Sequence, residues 1–214
     1  MNSLVVNEIF HSIQGESSQA GFPCVFIRLT ACNLRCTWCD TEYAFTEGER
    51  MSVPEILERV GAFGCRRVEV TGGEPLLQEA ALGLMSELCD RGYDVMLETG
   101  GALSIAAVDG RVRRIVDIKC PGSGMSDRNF WGNIRELKPT DEVKFVLRDR
   151  TDFEWAMDAI REHGLSGRCP VLFSPVFGEL DPAALAAWIL ESRAPVRMQL
   201  QLHKFIWEPS TRGV

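Results

Sequence analysis

The sequence has no run of about 18 or more consecutive apolar residues, so no membrane-spanning helix is expected. No basic patch followed by an apolar core opens it: Met1-Asn2-Ser3-Leu4-Val5 does not read as a signal peptide. Positive charge is not in excess either. Acidic side chains outnumber basic ones 30 to 23, and the net charge of −7 argues against a general nucleic-acid surface, which needs cations to match phosphates. Internal repeats, low-complexity tracts and linkers are also missing. Eight cysteines in an acidic chain without a leader point to reduced thiols and a cytoplasmic location rather than a disulfide framework. What remains is 214 residues of ordinary globular composition, 45% hydrophobic and 25% charged, which fits one domain over 1–214. The expected partner is a small molecule.

Three of the cysteines lie within eight residues, Cys32-Asn33-Leu34-Arg35-Cys36-Thr37-Trp38-Cys39. Thiolates are the natural ligands of iron–sulfur clusters, and ferredoxin-type sites use four of them. Three would leave one iron of a 4Fe–4S cluster without a protein ligand, and an open metal position is how a site takes substrate or cofactor. A zinc site or three core cysteines is the alternative, but zinc sites usually pair two C-x-x-C or Cys/His units, and no second unit follows. Cys24, Cys65, Cys89, Cys120 and Cys169 stand singly, mostly among apolar residues, and read as inert buried thiols.

Strand and helix patterns alternate along the chain. Strands are expected at Leu4–Phe10, Val25–Leu29, Val68–Val70, Tyr93–Glu98, Ile115–Lys119, Glu142–Leu147, Pro170–Phe173 and Val196–Leu202. Helices are expected at Ser52–Ala62, Leu76–Arg91, Asp127–Leu137, Asp152–His163 and Asp181–Ser192. Ser52 with Glu55 forms a capping-box signature, and Asp181-Pro182 is a cap followed by a first-turn proline. Such alternation implies an α/β fold with parallel strands joined by right-handed crossovers. About six parallel strands are too few for a closed eight-stranded barrel, so a partial, open (β/α) barrel is expected. Arg66-Arg67 and Arg113-Arg114 read as solvated pairs at strand mouths.

Ligands of parallel sheets bind beyond the C-terminal ends of the strands. The polar and glycine-rich clusters fall at such ends. Thr71-Gly72-Gly73-Glu74-Pro75 offers two glycines that let backbone approach a ligand closely. Asp117-Ile118-Lys119 puts two charged side chains on one face, and Ser174-Pro175-Val176-Phe177 offers a turn with backbone groups.

The spacing C-x3-C-x-aromatic-C resembles the signature of the radical S-adenosylmethionine (SAM) enzymes, and Gly72-Gly73-Glu74 resembles their GGE motif. The opening Phe10-His11-Ser12-Ile13-Gln14-Gly15-Glu16, together with Arg28, Cys39-Asp40-Thr41 and Gln201-Leu202-His203-Lys204, is similar to the 7-carboxy-7-deazaguanine synthase family. That likeness runs from Asn7 to Pro209. It implies a 4Fe–4S cluster on Cys32, Cys36 and Cys39, and SAM bound by Trp38, Asp40, Gly73, Glu74, Asp117, Ile118, Lys119 and Ser174–Phe177, with Pro175 and Val176 included. It implies a 6-carboxy-5,6,7,8-tetrahydropterin substrate held by Ile13, Gln14, Gly15, Arg28, Thr71 and Pro209, and Mg²⁺ on Thr41. A radical ring contraction with loss of ammonia, an electron donor such as flavodoxin and a homodimer are implied as well. Two departures stand out: Ser210–Val214 continues beyond the family's terminal proline, and Cys120–Lys138 is long and charged. A glycyl-radical-enzyme activase and a non-catalytic iron–sulfur or zinc protein are the competing readings.

Overall fold

A nine-stranded sheet organises the chain in the computed structural model, which describes residues 3–214. Its strands are β1 (Ser3–Ile13), β2 (Pro23–Leu29), β3 (Glu49–Ser52), β4 (Arg67–Gly72), β5 (Asp94–Thr99), β6 (Arg113–Asp117), β7 (Glu142–Leu147), β8 (Val171–Pro175) and β9 (Arg197–Met198). Their order is β3-β1-β2-β4-β5-β6-β7-β8-β9. β1 runs antiparallel to both β2 and β3. From β2 through β4 to β9 every pairing is parallel. The two ends do not meet, so the barrel is open, as the sequence implied.

Side chains alternate across a strand, and here the two faces have different jobs. Val68, Val70, Val95, Leu97, Val116, Val143, Phe145 and Phe173 point into one continuous apolar core. The helices α1 (Val53–Ala62), α2 (Ala80–Asp90), α3 (Arg150–Glu162) and α4 (Pro182–Ser192) cover it, through Ile56 and Val60, Leu84 and Leu88, Phe153 and Ile160, and Leu185. The opposite, concave face carries only a small apolar layer of Cys24, Phe26, Met96 and Ile115. Above that layer it turns polar. α1 has the expected capping box: Ser52 Oγ accepts from the Glu55 N–H, while Glu55 accepts from the Ser52 N–H at 2.7 Å.

Three expectations change. The helix foreseen from Leu76 is a 3₁₀ turn at Pro75–Leu77, and α2 starts only at Ala80. Gln78 between them is occupied in holding both backbone groups of Val5, at 2.8 and 2.9 Å. The helix foreseen over Asp127–Leu137 is a pair of 3₁₀ turns, Ser126–Arg128 and Trp131–Glu136. Asn129 clamps the Lys119 backbone N–H and C=O, each at 2.9 Å, and Asn133 takes the Ile105 N–H at 3.0 Å. Such side-chain bonds to backbone compete with a helix. The closing strand pairs only at Arg197–Met198 and then bends into a one-turn helix, α5 (His203–Ile206).

Arg114 departs further from expectation. It is buried rather than solvated, and its Nε donates to Asp141 Oδ2 at 2.9 Å while the Arg114 and Lys138 N–H groups also bind that carboxylate. Breaking a buried pair strands a charge in a low-dielectric site, at a cost of about 3–5 kcal/mol. Asp141→Ala is therefore expected to lower stability by about 3–5 kcal/mol in urea unfolding, with the concave face of the sheet unchanged before the transition.

Candidate active site

A cavity of about 320 Å³ opens at the C-terminal ends of the parallel strands. It gathers the residues that the sequence scattered. Cys32, Cys36, Trp38, Cys39, Asp40 and Thr41 line it from the loop after β2. Thr71 and Gly73 line it from the end of β4, Asp117 and Lys119 from the end of β6, and Val176 and Phe177 from beyond β8. Ile13, Gln14, Gly15 and Arg28 face it from β1, β2 and the loop between them, and Pro209 from the C-terminal segment. Four expected ligand residues do not line it. Ile118 belongs to the apolar core, and Ser174 and Pro175 are buried in β8, where Ser174 Oγ accepts from Gln199 Nε2 at 3.3 Å. Glu74 is fully buried, and its carboxylate is saturated by the Thr99 hydroxyl and by the N–H groups of Gly100 and Leu76. Its geometry is that of a strut between the ends of β4 and β5.

The cysteine loop is held from both sides. Just before it, Ala31 adopts φ 79°, a left-handed conformation that costs a non-glycine residue energy. Its N–H donates to Ala44 O and its O accepts from the Glu74 N–H, both at 2.8 Å. A Cβ on Gly73 would come within 2.3 Å of Ala31 O and 2.8 Å of the Cys32 Cβ, so only glycine fits there. On the other side, the Thr37 hydroxyl donates to Gly122 O at 2.9 Å and its N–H to Ser123 O at 3.1 Å. Gly122 is in turn fixed by its N–H on Asp152 Oδ1 at 2.8 Å, near the start of α3. The long segment after Cys120 thus serves as a clamp on the loop.

The donor set fits a 4Fe–4S cluster with one open iron. The three thiols are unpaired by disulfides and half-buried on one cavity wall, and burial holds each above the ordinary thiol pKa until a metal displaces the proton. The Leu34 N–H already points at the Cys32 sulfur, 3.4 Å away. Beside them, Asp117 Oδ1 is buried with no hydrogen-bond partner among the described residues, an acceptor waiting for a donor. A SAM ribose or amino group suits it.

The floor is an ionic network that the motifs did not reveal. Lys144 bonds Glu16 Oε2 at 2.8 Å, contacts Glu98, and lies 3.6 Å from Asp117, which also accepts from Lys119 at 2.9 Å. Burial opposes charge on Glu16, but Lys144 and His203 outweigh it and hold the pKa down to about 2. Glu69, bonded by Gln14 Nε2, goes the other way: burial, then the charges of Glu98 and Glu16, keep it protonated well above the usual carboxylate range. Glu69, Glu98 and Lys144 had one signal in the sequence, a charge inside an otherwise apolar strand. At the opposite end, Arg28 Nε binds Glu8 Oε1 at 2.7 Å, and that carboxylate also accepts from Tyr43 OH at 2.9 Å. No acceptor among the described residues takes the two terminal nitrogens of Arg28, which face the cavity.

The Radical SAM superfamily model matches residues 26–126. A 7-carboxy-7-deazaguanine synthase from Chlorobaculum tepidum is 52% identical over 99% of this chain and 97% of its own length. One from Koribacter versatilis is 47% identical over 98% of this chain and 99% of its own. The chain belongs to the 7-carboxy-7-deazaguanine synthase family of radical SAM proteins. The fold agrees: QueE from Escherichia coli superposes with a TM-score of 0.77 at 22% identity, over 95% of this chain and 96% of that one. A 4Fe–4S cluster and SAM are the cofactors of this class.

Individual Cys32→Ala, Cys36→Ala and Cys39→Ala variants are expected to lose the cluster, measured as iron and acid-labile sulfide after anaerobic reconstitution. Full loading in all three would remove these residues from the metal centre.

Proposed function

We propose that this protein is a carbon–nitrogen lyase that converts 6-carboxy-5,6,7,8-tetrahydropterin to 7-carboxy-7-deazaguanine with loss of ammonia, in queuosine and other 7-deazapurine biosynthesis. The observation that carries this reading is Arg28: a guanidinium anchored through Nε, with its terminal fork free, in the same cavity as the cysteine loop. A planar two-donor fork is matched to a carboxylate. The reading also takes the protein as one catalytic domain, cytoplasmic, homodimeric and reduced by a flavodoxin-like donor. None of the described helices is long and apolar enough to cross a membrane.

Cys32, Cys36 and Cys39 hold the cluster in this reading, and Trp38, Asp40, Gly73, Asp117, Lys119, Val176 and Phe177 surround SAM. Together, when bound and reduced, they supply the carbon radical that starts the ring contraction. The chain's own residues position and shield. Arg28 takes the substrate carboxylate, while Ile13, Gln14, Gly15 and Thr71 frame the heterocycle. Gly15 leaves room for the His203 ring, since a Cβ there would stand 2.1 Å from Nδ1. The neutral carboxyl of Glu69 and the ionised Glu16 offer a donor and an acceptor to the ring edge. Thr41 offers a hard oxygen to Mg²⁺, which binds with few protein ligands. Pro209, with Thr211, Gly213 and Val214 beyond it, closes the mouth. Arg212 anchors that segment on Glu47 at 2.8 Å and over the Tyr43 ring at 3.7 Å.

Anaerobic incubation of reconstituted protein with SAM, reductant and the carboxytetrahydropterin tests the reading directly. SAM cleavage without the deazaguanine product by mass spectrometry would overturn it. Arg28→Lys keeps charge but loses the fork, and is expected to raise KM about tenfold or more with cluster content unchanged. Thr41→Val is expected to lose Mg²⁺ stimulation of turnover while keeping the cluster and SAM binding. An unaltered response to Mg²⁺ would place the ion elsewhere.

A further inference from the structure

We propose that Lys204 makes divalent-cation binding at Thr41 strictly second to substrate, by neutralising the carboxylate hydrogen-bonded to that threonine, which could otherwise help hold the ion without substrate. The inference deepens the Mg²⁺ assignment above and rests on it. Asp40 is the carboxylate beside Thr41, and both its oxygens are engaged. Lys204 Nζ lies 2.6 Å from Oδ2, and the Thr41 hydroxyl donates to Oδ1 at 2.7 Å. The lysine is not a loose surface cation: only 10% of its side chain is exposed, and its ammonium sits 5.7 Å from the centre of the Phe177 ring.

This arrangement does two things to Thr41. Its hydroxyl proton is committed to Asp40, so the free lone pairs of Oγ1 face outward as an acceptor for a hard cation. Its nearest anion is already spent on an ammonium. Across the cavity mouth Arg28 is balanced by Glu8 in the same way. Two cations thus cancel two carboxylates around the threonine. Magnesium dehydrates reluctantly and needs one or two carboxylates beside its waters. A lone neutral hydroxyl with an ammonium nearby does not supply that. A carboxylate drawn in by the terminal nitrogens of Arg28 does, because it brings both the missing negative charge and an oxygen ligand. The position of Lys204 also depends on the substrate loop, since the Leu202 N–H donates to Gly15 O at 2.9 Å just before α5.

The variant arm of the test needs no substrate. Reconstituted protein is titrated with Mn²⁺ as the probe, and free ion is followed by electron paramagnetic resonance. Wild type is expected to show no site. Lys204→Met, which frees Asp40, is expected to bind Mn²⁺ at least about tenfold more tightly than wild type. Lys204→Arg keeps the charge and should behave as wild type, and adding Asp40→Asn to Lys204→Met should abolish the gained site. Cluster absorbance reports that each variant is folded. No gain in Lys204→Met would overturn the proposal. So would wild type binding Mn²⁺ equally well with and without the carboxytetrahydropterin, a result that requires no variant to fold. Failure of the substrate assignment would appear instead as absent turnover by wild type, with the substrate-free Mn²⁺ results standing.

Discussion

The buried ammonium of Lys144 is the point on which the concave face depends. It rises from β7 into a site where its side chain is 5% exposed, and carboxylates from three other places converge on it: Glu16 after β1, Glu98 on β5 and Asp117 on β6. A charge in such a place costs several kcal/mol unless paired and fully bonded. The same is true of each carboxylate, so the four groups hold one another in place. Glu16 is further tied by Gln201 at 2.9 Å and Gln199 at 3.2 Å, which brings the C-terminal segment to the floor. The one ammonium therefore links the first strand, the middle of the sheet and the chain's end. Its in-register neighbour on β6 is Asp117, whose other oxygen remains open to a ligand.

A second constraint acts on the cluster loop. Three thiolates reach a common cluster only if the backbone between them is fixed before metal arrives. The left-handed Ala31, the glycine wedge at Gly73 and the Thr37–Gly122–Asp152 chain of hydrogen bonds supply that fixity. Gly122 is also tightly placed, because a Cβ there would lie 2.5 Å from Asp152 Oδ2. Asp152 also caps the Arg148 N–H at 3.0 Å at the head of α3. Strain at Ala31 is thus balanced by packing from two separate elements, as expected where backbone is bent for a site.

How much of this the sequence disclosed follows from the range of each signal. Alternating strand and helix patterns are local, and they located the parallel strands and the capping box at Ser52. That the cysteine loop, Arg28 and Thr71 meet in one cavity was legible because their motifs set specific residue types at specific spacings. Glu74 was read as a ligand residue on its motif, but the Thr99 hydroxyl and Gly100 N–H that saturate it lie 25 and 26 residues away, beyond any local pattern. Lys144 and Glu98 are 46 residues apart on strands separated by β6, and only the folded sheet brings them together. The 3₁₀ turns after Cys120 were hidden for the same reason: Asn133 abandons a helix for backbone partners some 30 residues upstream.

Charge divides the cavity into two regions that the same chemistry requires. Around the cysteines and Asp117 the wall carries thiols, Lys119 and one open carboxylate oxygen, a setting for a cofactor that is itself charged at both ends. Arg28 and Lys204 are each matched by an anion, and among the described residues the terminal nitrogens of Arg28 have no acceptor. An incoming carboxylate is therefore attracted to one place. The neutral Glu69 beneath it adds no repulsion of its own, because burial and the neighbouring Glu98 and Glu16 keep its proton on. Were Glu69 ionised, the floor would carry a fourth carboxylate beside the three already gathered on Lys144, and an anionic substrate would be opposed where it must settle. Retaining that proton and leaving the Arg28 fork open while its Nε is paired are two halves of a single device, which lets a small acidic chain hold an acidic ligand.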